Sequence, residues 1–84
     1  MKVSELLAKT EMQAVPKGKN LFQIGWADGY LIVRFKGRSK LYIYGARIAE
    51  EERDKLLRVP YPDKLFTQLR DKHCWQCMKV EGTR

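Results

Sequence analysis

The sequence predicts an α+β domain: a three-stranded antiparallel β-meander with two C-terminal helices packed on one face, preceded by a short N-terminal helical extension. Three observations predict it. Asp28-Gly29 separates two runs of alternating apolar residues between Leu21 and Phe35, the pattern of a two-residue hairpin turn. A third alternating run, Lys40 to Tyr44, comes one turn later. Beyond Gly45 the apolar spacing becomes helical, and Pro60 divides this C-terminal half into two helices. A layer of helices is a common cover for the apolar face of such a sheet.

The 84 residues make one domain, near the small end of what folds alone. The extension occupies 1–11, the α+β domain 12–77 and a flexible tail 78–84. Val3, Leu6, Leu7 and Thr10 fall at helical spacing, and Ser4 suits the cap of a short helix. About two turns are marginal alone and must dock on something. Met12 to Val15 reads as extended, because a residue before proline avoids the helical region. Pro16 to Asn20 is a loop carrying Lys17 and Lys19, either phosphate contacts or ordinary solvated charges.

A two-residue turn pairs Ala27 with Tyr30, Trp26 with Leu31, Ile24 with Val33 and Phe22 with Phe35. Period-two alternation then puts Phe22, Ile24, Trp26, Leu31, Val33 and Phe35 on the core face. Gln23, Gly25, Ala27, Tyr30, Ile32 and Arg34 take the other. The third strand has two registers. Without a bulge, Val33 faces Tyr42 and Leu31 faces Tyr44, so both tyrosines point to the core and Leu41 and Ile43 away from it. A bulge at Gly37 reverses this. The unbulged register is preferred.

Ala46 to Val59 reads as a helix, with Ile48, Ala49, Leu56 and Leu57 as its buried stripe. Glu50, Glu51 and Glu52 in its early turns, and Lys55 and Arg58 in its last, suit the helix dipole. Adjacent helical residues point apart, so the three glutamates do not converge on a metal. Tyr61-Pro62-Asp63 opens a second helix that fades near Cys74, with Leu65, Phe66, Leu69 and His73 on one side.

The net charge is +7. Such a balance favours acidic partners. The densest positive patch is Arg34, Lys36, Arg38 and Lys40 around the second turn. With Lys17 and Lys19 they form a basic rim for phosphates. Tyr30, with Tyr42 and Tyr44 if they face outward, would stack bases; otherwise the tyrosines complete the core. No nucleophile–base pair, phosphate-cradling glycine loop or paired-carboxylate spacing is visible, so an enzyme is not expected.

His73-Cys74-Trp75-Gln76-Cys77 offers two zinc ligands where a closed site needs four, and a redox motif expects a preceding strand. The preferred reading is a helix end with Trp75 and one cysteine packed inward. No metal or cofactor is expected. Met1-Lys2 leads into Val3-Ser4-Glu5 without a long apolar run, and no segment is long enough to span a bilayer. The expected compartment is the cytoplasm, where thiols stay reduced.

Ile24-Gly25-Trp26, Leu31-x-Val33-x-Phe35, Tyr42-x-Tyr44 and Phe66, in that order, resemble the KTSC domain, a small module found at the C-terminus of some lysyl-tRNA synthetases and as stand-alone bacterial or phage proteins. The resemblance runs from about Met12 to about Trp75. It implies the strand–strand–strand–helix–helix order, and RNA binding, the role suspected for the family. The chain departs from the family pattern at Lys17-Gly18-Lys19, in a longer Phe35–Tyr42 loop, and at Tyr61-Pro62-Asp63-Lys64.

The resulting expectation is a small, basic, non-enzymatic module, monomer or homodimer, that binds RNA or single-stranded DNA through its basic hairpin end. The alternative is a protein-interaction module, such as a phage-type protein that modulates a host protein. It would use an apolar strip of Ile32, Leu41 and Ile43 or a free edge strand. The N-terminal helix could instead cover that strip.

Overall fold

The computed structural model describes residues 3–45 and 47–81. Its elements are α1 (Val3–Lys9), β1 (Gln13–Ala14), β2 (Leu21–Ala27), β3 (Tyr30–Phe35), β4 (Lys40–Gly45), α2 (Glu50–Arg58), α3 (Pro62–His73) and β5 (Gln76–Glu81). The class is α+β with an antiparallel sheet, but that sheet has five strands in the order β1-β2-β3-β4-β5, not three.

The two added strands have different origins. β1 is the extended Met12–Val15 stretch, paired with β2 through Gln13 and Ala14. β5 replaces the expected tail from Met78 onward. Cys74 ends α3 in the left-handed conformation, and the Trp75 N–H returns to the Arg70 carbonyl at 3.1 Å. This turns the chain back along β4, which it pairs from Gly45↔Gln76 to Lys40↔Glu81. Backbone ladders form whatever the side chains are, so a short, mostly exposed strand with only Met78 and Val80 alternating as apolar residues leaves little trace in hydropathy. Residues 82–84 of the expected tail lie outside the described ones.

The hairpin turns at Asp28 and Gly29, with φ of 52° and 85°. Both positive values match the turn whose twist suits paired strands. Ala27↔Tyr30, Trp26↔Leu31 and Ile24↔Val33 pair as expected. The register then shifts between Leu21 and Gln23, so that Leu21 faces Phe35. The extra residue is Phe22. It points outward, 45% exposed, while Leu21 takes the core position assigned to it. Its carbonyl accepts the Val15 N–H at 3.0 Å, where β1 joins.

β4 adopts the unbulged register, Val33↔Tyr42 and Leu31↔Tyr44. One sheet face therefore packs Leu21, Ile24, Leu31, Val33, Tyr42 and Tyr44 against Ile48, Leu56 and Phe66 from the α2–α3 side. The other face is not open. Ile32, Leu41 and Ile43 are buried with Leu6 of α1, so helices cover both faces of the sheet. Lys9 on α1 reaches Asp28 of the hairpin turn at 2.7 Å, and that bond, with the facing charge, raises the Lys9 pKa.

α2 starts later than expected. The Ile48 N–H bonds the Gly29 carbonyl at 2.8 Å, and Trp26 Nε1 donates to the Ile48 carbonyl at 2.6 Å. These bonds hold the preceding segment to the hairpin, with Ala49 extended at the N-cap and exposed rather than buried. The expected start, Ala46, lies outside the described residues.

Candidate anion-binding cleft

A cleft of about 500 Å³ opens between the β3–β4 turn, α3 and β5. Four cations line it: Lys36 and Arg38 from the turn, Arg70 from α3 and Lys79 from β5. Asn20, Phe35, Tyr42 and Tyr44 complete the lining, and among the described residues no acidic side chain is part of it. Arg38 Nη1 donates to the Tyr42 hydroxyl at 3.2 Å. The Lys79 ammonium stands 5.6 Å from the centre of the Tyr42 ring, within cation–π range. Lys36 Nζ donates to the Gly18 carbonyl at 2.8 Å, which ties the turn to the β1–β2 loop. Arg70 Nε is shared with Asp71 at 3.2 Å, an exposed pair of little energetic weight.

Of the nine expected site residues, Lys36, Arg38, Tyr42 and Tyr44 meet here. Arg34 does not. Strand alternation puts it on the α1 face with Ile32, half-buried, its Nε buried without a hydrogen-bond partner. Lys40 is exposed and shares the Tyr42 face by parity, but lies outside the lining. Lys17 and Lys19 line a separate hollow with Pro60, Tyr61, Asp63 and Lys64. Tyr30 is half-buried, its ring lying against Gly45 where a β-carbon would stand.

The Tyr42 and Tyr44 rings are core residues, not open platforms. Tyr42 meets the Phe35 ring edge-on at 5.1 Å and Tyr44 meets Phe66 at 5.1 Å. At the cleft, Tyr42 meets Arg38 through its hydroxyl and Lys79 through its ring. Burial, then the Cys77 sulfur beside it, pushes the Tyr44 pKa up to about 12 against an opposing pull from Arg70. Its hydroxyl therefore keeps its proton at neutral pH.

Sequence reasoning missed Asn20, Arg70 and Lys79. A signal exists for Arg70: it stands one helical turn after Phe66, so the two share a face, and Phe66 is buried. Lys79 faces with Tyr42 only because β5 pairs with β4.

The His73–Cys77 segment differs from its expected packing. Trp75 packs on the core, but both cysteines are exposed, and His73 stacks on Trp75 at 6.1 Å. Among the described residues no three His, Cys, Asp or Glu side chains converge as a metal site would require, and no helix is long and apolar enough to cross a membrane.

No protein-family model, curated protein or solved structure matches the chain.

Proposed function

We propose that this protein is a small non-enzymatic binding module that takes RNA or single-stranded DNA in the basic cleft. The observation that supports it most is the convergence of Lys36, Arg38, Arg70 and Lys79 on one cleft with no lining carboxylate among the described residues. Like charges gathered in this way repel one another, and a bound polyanion relieves that cost. Arginines offer forked donors to phosphate oxygens and lysines offer compact charges. Three of the four acids on α2, Glu50, Glu52 and Asp54, pair with Arg53 and Lys55 of their own helix rather than with these cations. The KTSC resemblance points the same way.

Because Tyr42 and Tyr44 are packed, the cleft offers phosphate contacts rather than base stacking, and its affinity should depend little on sequence. The protein-interaction alternative has its apolar strip under α1, which leaves a protein partner the backbone of the sheet edges at β1–β2 and β5.

Fluorescence anisotropy with labelled single-stranded RNA and DNA across a salt series tests the proposal. Four neutralised phosphates should give a log–log salt slope of about −3. No binding at low salt, or binding indifferent to salt, would overturn it.

A further inference from the structure

We infer that the hollow at the start of α3 is a stacking subsite for one unpaired base, with Tyr61 as its platform. The inference rests on the reading of the cleft as a single-strand site, and extends that site beyond it.

Tyr61 is 73% exposed, the most exposed of the large apolar and aromatic side chains among the described residues. Burying such a ring releases water from apolar surface, so an unpaired ring invites a flat partner. Pro60 and Pro62 flank it and restrict the neighbouring backbone, so little freedom is lost when a base settles on it.

The surroundings fit a nucleotide. The hollow is about 390 Å³, and Lys17, Lys19 and Lys64 line it beside Tyr61. Its one carboxylate, Asp63, is turned to the backbone, accepting the N–H groups of Lys19, Asn20 and Leu21 at 2.8, 2.7 and 3.3 Å. Three cations thus surround an apolar ring, which suits a ligand that carries a phosphate on each flat base.

The hollow also adjoins the cleft. Lys19 lines one and its chain neighbour Asn20 lines the other, and Lys36 of the cleft bonds Gly18 in the same loop. A strand leaving the cleft past Lys36 crosses this loop and meets Tyr61. Only a single strand can offer a free base face there. The Tyr61–Lys64 segment is where the chain departs from the KTSC pattern, so that resemblance contributes nothing to this site.

The test compares wild type, Tyr61→Ala and Tyr61→Phe with a labelled single-stranded oligonucleotide of about ten nucleotides, within the site size of small single-strand binders, and with its duplex. Tyr61→Ala should weaken single-strand binding by about five- to 150-fold, the range one stacked base is worth. Its salt slope should match wild type, because no cation is removed, and Tyr61→Phe should bind as wild type does. Duplex binding should not change. Unaltered single-strand affinity in Tyr61→Ala, or an equal loss in Tyr61→Phe, would overturn the subsite while leaving the cleft standing. A wild-type protein that binds no single strand at low salt would remove both.

Discussion

The Asp63 carboxylate accepts the Asn20 backbone N–H at 2.7 Å across 43 positions of sequence. With the bonds to Lys19 and Leu21, it staples the β1–β2 loop to the first turn of α3. That loop separates the basic cleft from the lysine-lined hollow, so one side chain at a helix start fixes the wall between two candidate anion contacts.

Asp63→Ala leaves three amides without their acceptor. We expect a loss of about 1–3 kcal/mol, toward the low end because water reaches part of the site. Amide exchange should accelerate at residues 19–21 before elsewhere. Asp63→Asn keeps one acceptor oxygen and should lose less. Urea unfolding and hydrogen exchange measure both.

Tyr44 predicts an alkaline weakness. Its folded pKa is raised to about 12 from the ordinary 10.0, so the unfolded chain releases this proton first. The contribution of the neutral hydroxyl is fully present below about pH 10 and is lost as pH rises from there through about 12, a decline of at most about 3 kcal/mol. Urea unfolding at pH 9 to 12 should therefore show a shallower decline in Tyr44→Phe than in wild type, since other lysines and tyrosines titrate in both. Parallel curves would place the Tyr44 hydroxyl elsewhere.

α1 is seven residues long, too short to hold without docking. Leu6 is its buried anchor. Leu6→Ala should cost about 2–4 kcal/mol if α1 unfolds with the rest, and less if it detaches alone. Detachment would uncover Ile32, Leu41 and Ile43. Binding of a hydrophobic dye, and self-association at raised concentration, report it.

The hairpin is legible because Asp28-Gly29 has one dominant use between alternating strands. The helices are legible from their spacing and from Pro60. β5 is not, because its apolar alternation is only Met78-x-Val80, set beside Leu41 and Ile43, too short to stand out without its backbone pairing to β4. The bulge at Phe22 is equally silent, since alternation assigns Phe22 inward and only the junction with β1 displaces it. The site shows the same limit. Arg34, Lys36, Arg38 and Lys40 look like one patch in sequence, and their even spacing would share one face of a straight strand. The β3–β4 turn pairs Arg34 with Leu41, however, so Arg34 and Lys40 fall on opposite faces. Arg34 goes to the sheet face that carries α1, while Arg70 and Lys79, distant in sequence, join Lys36 and Arg38. Charge density along a chain marks a basic protein; the fold decides which charges meet.

The most direct test separates position from total charge. Lys36→Glu with Arg38→Glu alters the cleft. Arg58→Glu with Lys72→Glu alters net charge equally at exposed positions that line neither the cleft nor the Tyr61 hollow. Affinity for a single-stranded RNA is measured at low salt for both variants, with thermal unfolding to confirm that each is folded. Loss of binding in the cleft variant, with the other within a few-fold of wild type, is the expected result. Equal weakening of the two, or wild-type affinity in the cleft variant, would contradict the cleft as the binding site.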